Sequence, residues 1–248
     1  LNSFILCAGK GTRLAPLTIE TPKCLLDMVG TPVLGRIIEW LDSYGIKNHV
    51  CNAHWKKELI KNFADKTKHE LIVIEEYGEN SYGTCGGVMN ALPYLEDKFV
   101  LIYGDIVTNC NLNRVFNFHN EKNADCTIVT NRVEDPWNCG VVYSNSDARV
   151  TKIEEKPDKE TIESDLVNSG ILVVNKSFFE KYKHYGFFDI FHDLMPIALK
   201  DELKIFQIPL NKEEFVIDMG TFKNYEKAKG IYMEKGRCHD YQQDANED

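Results

Sequence analysis

The stretch Gly9-Lys10-Gly11-Thr12-Arg13, followed by Pro22-Lys23, gathers the residue types that bind phosphate. Glycines let a backbone adopt positive φ and approach a ligand closely, so that successive N–H groups can face phosphate oxygens. Arg13 offers a planar fork of donors, whereas Lys10 and Lys23 are point charges. The apolar run Ser3 to Cys7 feeds directly into this stretch, and the C-terminal end of a strand is where an open α/β sheet binds ligands. An ordinary glycine-rich turn would explain a lone GxG. The spacing fits neither common nucleotide loop: no Gly stands four residues before a Gly-Lys-Ser/Thr, and Leu14 occupies the third glycine position of a dinucleotide fingerprint.

Two carboxylates repeat one pattern. Asp105 follows the apolar run Lys98 to Tyr103 through Gly104, and Asp218 follows Phe215 to Ile217. Either alone reads as a helix cap or a turn residue. Asp105, at the edge of a sheet like the one that carries the glycine loop, and Asp218, directly after an apolar strand, together suffice for a magnesium ion, which is usually held by one or two carboxylates besides phosphate oxygens and water. Three further clusters hold polar groups: Gly83-Thr84-Cys85-Gly86-Gly87, Glu154-Glu155-Lys156-Pro157, and Asn168-Ser169-Gly170. Taken singly, the second is a solvated charge run and the third a plain turn.

The elements that must position these groups alternate. Strands are expected at Ser3–Cys7, Asn48–Asn52, Glu70–Glu75, Lys98–Tyr103 and Cys126–Thr130. Helices are expected at Pro32–Leu41, His54–Phe63, Gly83–Leu92 and Leu112–Asn120. That rhythm implies parallel pairing with right-handed crossovers, a Rossmann-like sheet. Strands then follow with little helix between them, at Gly140–Tyr143, Val150–Glu154 and Gly170–Val174. Helices Ser177–Tyr182 and Asp189–Leu199, strands Leu203–Ile208 and Phe215–Ile217, and a helix Phe222–Met233 complete the reading. The expectation is one domain over 1–233, with an alternating half (1–125) and a strand-rich half (126–233). A polar, acidic and poorly ordered tail is expected at 234–248. No internal repeat is present, and no hexapeptide period marks an appended β-helix.

The pattern GxGTRL-x-PLT followed by PK, with the clusters above, resembles the sugar-1-phosphate nucleotidyltransferases over residues 3 to about 232. The resemblance implies a GT-A type fold: a mixed, mainly parallel sheet flanked by helices, with a small β-rich sugar lobe, which makes 1–125 the nucleotide-binding half and 126–233 the sugar-binding half. It implies an NTP and a sugar 1-phosphate as substrates, and an NDP-sugar and pyrophosphate as products. It also implies Arg13 and Lys23 as catalytic residues, and Leu6, Ala8, Gly9, Lys10, Gly11, Thr12, Arg13, Gly83, Thr84 and Gly104 as nucleotide-binding residues. Gly140, Glu155, Lys156 and Asn168 would meet the sugar phosphate, and Asp105 and Asp218 would hold Mg²⁺. Cys139 stands where relatives carry a tyrosine before Gly140, which leaves the local pocket shape open. The G-T-x-G form at Gly83 is closer to the guanylyl-transferring branch, which acts on mannose- or heptose-type 1-phosphates, than to the thymidylyl branch. A homodimer or higher homo-oligomer is implied as well. Thymidylyl or uridylyl transfer to a hexose 1-phosphate, cytidylyl transfer to a non-sugar phosphate, and a non-catalytic nucleotide-sugar sensor stay open as alternatives. A glycosyltransferase of similar sheet is disfavoured, because Ile106 and Val107 follow Asp105 where a D-x-D motif would be needed.

Composition narrows the partners. The formal charge is −9, from 29 basic and 38 acidic residues, which argues against a nucleic-acid binder or a protein of anionic membranes. A hydrophobic content of 43% suffices for a packed core. The 8 cysteines contain no C-x-x-C pair, so reduced, buried thiols and a cytoplasmic location are expected, with no signal peptide and no membrane span.

Overall fold

The computed structural model of the chain describes residues 1–182 and 186–244, with side chains described to residue 234. It opens with β1 (Asn2–Leu6), the glycine loop, a single 3₁₀ turn at Thr12–Leu14 and the short α1 (Leu17–Glu20). Then follow α2 (Val33–Ser43), β2 (Asn48–Ala53), α3 (Lys57–Lys66), β3 (Glu70–Glu75), α4 (Gly83–Ala91), β4 (Lys98–Tyr103), β5 (Ile106–Thr108), α5 (Leu112–Glu121) and β6 (Cys126–Arg132). The remainder is β7 (Gly140–Ser144), β8 (Val150–Glu155), β9 (Leu166–Asn175), α6 (Lys176–Glu180), α7 (Met195–Lys200), β10 (Ile205–Pro209), β11 (Val216–Asp218) and α8 (Phe222–Asp244).

The main sheet has the order β10-β6-β9-β4-β1-β2-β3. β1 pairs in parallel with both β2 and β4, β2 with β3, and β10 with β6, while β9 runs antiparallel between β4 and β6. Strands buried on both faces should read as continuous apolar runs, and β4 does so with Phe99, Val100, Leu101 and Ile102 fully buried. Alternate side chains of these strands belong to opposite layers. Ile5, Val100 and Ile102 pack under α2, α5 and α8, whereas Phe4, Phe99 and Leu101 pack under α4, α6 and α7. Burying a Phe or Leu fully is worth roughly 1.5–3 kcal/mol, so the two layers fix the sheet that carries the site.

Several boundaries differ from the sequence expectation, each for a physical reason. The third helix starts at Lys57 rather than His54, after Lys56 adopts φ 51 and breaks the turn. The expected helix Asp189–Leu199 is instead a π-helical turn (Ile190–Leu194) running into α7, capped by the Asp189 carboxylate and closed by Leu194 N donating to the Asp189 carbonyl at 3.0 Å. Asn168-Ser169-Gly170 is no turn but lies inside β9, where the register against β6 shifts and Gly170 has φ 77. The last helix extends past Met233 to Asp244, so most of the expected tail is helical backbone, and residues 245–248 lie outside the described residues. The seven described cysteines are free, six of them buried. No helix among the described residues is long and apolar enough to cross a membrane.

Two buried histidines tie stability to pH. His49 sits between the Ser3 hydroxyl (2.8 Å) and the Asp42 carboxylate (3.2 Å), and His119 between Thr127 and Asn175. Burial, the larger influence, holds both below their ordinary 6.5, and for His49 the Asp42 carboxylate opposes it. The folded state therefore favours neutral rings. Their contribution is complete above the unfolded value of about 6.5 and is lost as pH falls below it. The urea midpoint is expected to drop between pH 7 and pH 5. The drop should shrink in a His49→Gln, His119→Gln double variant, and an equal drop in that variant would remove these histidines as its cause.

Candidate active site

The glycine loop leaves β1 at Leu6 and is locked from below. Cys7 N donates to Asn52 Oδ1 at 2.7 Å, and Asn52 Nδ2 donates to Glu76 Oε1 at 2.7 Å. Glu76, 1% exposed, accepts Tyr82 N on its other oxygen at 2.8 Å. The ends of β2 and β3 thus hold both the loop and the entry to α4. Gly11 takes φ 65, and a Cβ there would stand 3.0 Å from Lys23 Cβ, so only glycine lets the Lys23 stem pass. Thr18 Oγ1 donates to the Gly11 carbonyl at 2.8 Å and closes the turn.

Lys23 is the centre of charge. Its side chain is 12% exposed, and its ammonium pairs with Asp105 Oδ2 and lies 3.5 Å from Asp218 Oδ1. The two carboxylates meet because β5 and β11 form a separate antiparallel ribbon in which Asp218 is registered with Ile106. Burial raises the Asp105 carboxyl above the usual carboxylate range; Lys23 opposes this and Asp218 adds to it. Two carboxylates gripping one ammonium are an acidic cradle for a cation. No cluster of three or more metal-ligating side chains occurs among the described residues, so a metal held here would take its remaining ligands from substrate and water. Arg13 flanks the cradle: a Cβ on Gly220 would come within 2.8 Å of its guanidinium and 3.0 Å of Asp218 Oδ1.

Two contiguous cavities open on either side. A smaller one of about 290 Å³ is lined by Leu6, Ala8, Gly9, Asn52, Gly83 and Gly104, with Lys23 and Asp105 at its floor. A larger one of about 1060 Å³ is lined by Arg13, Gly140, Glu155, Lys156, Asn168 and Asp218. Thr84, Tyr103, Phe187 and Asp189 border both. Thr84 Oγ1 donates to Asp189 Oδ2 and accepts Ile190 N, each at 2.8 Å. That clasp joins the start of α4 to the loop over the larger cavity, and Gly83 is required beside it, because a Cβ would meet Phe188 O at 2.6 Å.

In the larger cavity the Glu155 carboxyl is raised by burial, with Lys156 opposing and Asp189 adding. Burial likewise pushes the Tyr103 hydroxyl up, with Asp189, Asp105 and Glu155 adding to it, so it stays a neutral donor. Lys156 holds φ 48, unusual for a residue with a Cβ, and its N–H donates to the Cys139 carbonyl at 2.9 Å. Such local strain concentrates at ligand sites. Cys139 lines the same cavity.

Of the residues singled out from sequence, Lys10, Gly11 and Thr12 line neither of these cavities; the others do. Asn52, Ser81, Tyr103, Phe187, Asp189 and Lys227 line them without having been singled out. Asn52 and Glu76 carry the signal that revealed Asp105, a polar residue at the end of an apolar strand. Asp189 reads as a helix cap, which it also is.

Comparison with known proteins agrees with this architecture. The chain is 32% identical over 209 residues to the bifunctional protein GlmU of Methanococcus maripaludis, covering 82% of this chain and 46% of that protein. It is 26% identical over 243 residues to a UTP–glucose-1-phosphate uridylyltransferase of Synechocystis, covering 92% of this chain and 62% of that protein. The chain thus spans about half the length of GlmU. The crystal structure of HddC from Yersinia pseudotuberculosis, also known complexed with GMP-PN, superposes with a TM-score of 0.78 at 26% identity, covering 93% of this chain and 99% of the other. Residues 2–235 match the family described as nucleotidyl transferase, and the chain belongs to that family.

Proposed function

We propose that this protein is a sugar-1-phosphate nucleotidyltransferase, joining an NTP to a sugar 1-phosphate with release of pyrophosphate. The observation that carries the reading is the Lys23 ammonium between Asp105 and Asp218, at the junction of a glycine-loop cavity and a cavity lined by Glu155, Lys156 and Asn168. In this reading the smaller cavity takes the base and ribose, and the larger one takes the sugar and the phosphates.

A sugar phosphate oxygen attacks the α-phosphorus in line. The new P–O bond forms as the bond to pyrophosphate breaks, and its electron pair leaves on the pyrophosphate oxygen. A phosphate monoester is already an anionic nucleophile, so no enzyme nucleophile is required. The barrier is repulsion between anions and charge growth on the leaving group, which positioning and fixed cations lower. Lys23 faces the reacting phosphates, Arg13 neutralises the triphosphate, and Lys156 steers the sugar phosphate. Glu155 and Asn168 accept and donate to sugar hydroxyls. A divalent cation, Mg²⁺ in this reading, would be held by Asp105 and Asp218 and would supply further neutralisation of phosphate charge.

For the substrate pair we propose guanylyl transfer to a mannose- or heptose-type 1-phosphate, supported by the Gly83-Thr84-Cys85-Gly86 sequence and by the GMP-PN complex of HddC. Uridylyl transfer to a hexose 1-phosphate is the second reading, favoured by the Synechocystis relative. Phosphate release in the presence of pyrophosphatase, with each of five NTPs crossed against a panel of sugar 1-phosphates, tests both. Turnover confined to one pair assigns base and sugar, and silence across the panel would sink the enzyme reading. An Asp218→Asn enzyme is expected to need several-fold more Mg²⁺ for half-maximal rate, since one of two carboxylates is lost. An unchanged requirement would move the second metal ligand elsewhere.

A further inference from the structure

Three cations line the larger cavity without a protein partner: the side chains of Arg13, Lys156 and Lys227 make no hydrogen bond or ion pair with another described residue. Some lysines elsewhere on this acidic chain are paired. Lys57 and Lys61 share Glu75, and Lys56 pairs with Glu20. An unpaired cation on an exposed surface would be unremarkable, but one that converges on a cavity with two others is placed for an anion. Arg13 and Lys156 have roles in the reading above; Lys227 has none.

The position of Lys227 is fixed. Helix α8 is pinned at its first turn, where Asn224 N meets Thr221 Oγ1 and Asn224 Nδ2 donates to the Asp218 carbonyl at 2.8 Å. Tyr225 and Ala228 are buried in the core, and the Tyr225 hydroxyl donates to the Asp27 carbonyl at 2.6 Å. Asn224 and Lys227, three apart, lie on one side of the helix, and both line the cavity. Gly220, just before the helix, lies beside the Arg13 guanidinium, and Arg13 lines the same cavity as Asn224 and Lys227. Lys156 belongs with Glu155 at the sugar lobe, so Lys227 extends the Arg13 side of the cradle.

We propose that Lys227 binds the leaving end of the nucleotide, holding with Arg13 the β- and γ-phosphates and then the departing pyrophosphate. This rests on the nucleotidyltransferase reading. When the bridging bond breaks, its electron pair adds charge to the pyrophosphate, so a flexible ammonium at that end assists departure in the forward direction and capture in the reverse.

The test compares Lys227→Met and Lys227→Arg with the unmodified protein in pyrophosphorolysis of the NDP-sugar. Lys227→Met is expected to raise the KM for pyrophosphate about tenfold, the loss of one charge-assisted hydrogen bond. The KM for NDP-sugar should stay within about twofold, and Lys227→Arg should recover most of the change. An unchanged pyrophosphate KM, or a change confined to the sugar side, overturns the proposal. Calorimetry with Mg²⁺ and inorganic pyrophosphate separates it from the reading it rests on. If the unmodified protein turns over no substrate pair, the reading fails, and Lys227 is then judged by whether Lys227→Met weakens pyrophosphate binding. Equal binding, or none by the unmodified protein, overturns the assignment.

Discussion

A Lys23→Ala enzyme is expected to lose on the order of 10²-fold or more in kcat/KM, the scale seen when a preorganised transition-state donor is removed. Two losses combine. The reacting phosphates lose a cation, and the Asp105 and Asp218 carboxylates lose the ammonium that separates their charges. Asp105 is already raised by burial, with Lys23 as the main opposing influence. Without Lys23 that opposition is lost and its carboxyl rises further. The acid limb of the pH–rate profile should therefore move to higher pH, and residual activity should recover in alkaline buffer. Rates measured from pH 6 to 9 check this; kcat/KM within tenfold of the unmodified enzyme would remove Lys23 from the centre of the site.

The second large effect is on stability. Glu76→Gln is expected to cost about 2–4 kcal/mol although the shape is preserved, because the new amide must turn a donor toward another donor. Glu76 accepts Asn52 Nδ2 on one oxygen and Tyr82 N on the other, in a site 1% exposed. Gly87 closes any escape, since even a Cβ there would stand 2.5 Å from Asn52 Nδ2 and 2.9 Å from Glu76 Oε1. Asn52 in turn accepts Cys7 N, so the damage reaches the glycine loop, and the KM for NTP should rise together with the fall in the urea midpoint. A midpoint equal to that of the unmodified protein would mean that one acceptor suffices there.

Much of this architecture was legible because its signals are local. β4 is an apolar run followed by Gly104, and the apolar part of β1, Phe4 to Leu6, leads through Cys7 and Ala8 into Gly9 and the loop cations. The features that escaped depend on distant partners. β5 is three residues long and exists only through pairing with β11, a relation with no local signature. The π-helical turn at Ile190 is closed by Leu194 N on the Asp189 carbonyl, five residues back, where periodicity indicates an ordinary helix. β9 begins at Leu166, but Asn168, Ser169 and Gly170 have the composition of a turn, and the pairing with β6 overrides it. Lys227 lies on an exposed, highly charged helix where no pattern separates one lysine from its neighbours. Asp105 and Asp218 stood out separately, as carboxylates after apolar runs, and Lys23 as a loop cation, but that Lys23 sits between them could be found only in three dimensions.

The β5–β11 ribbon has a consequence for biosynthesis. Thr108 donates to the carbonyl of Phe215, 107 residues later, and the Asp105 amide carbonyl accepts from Met219 N. A nascent chain that has already emerged through β4 exposes the glycine loop and one carboxylate, and closing the long intervening loop carries an entropic cost that only the late strand offsets. The cluster of Lys23, Asp105 and Asp218 is therefore complete only once β11 has been made. Fragments ending before residue 216, whether from premature termination or proteolysis, would keep the glycine loop and Asp105 yet lack Asp218, leaving the charge cradle incomplete.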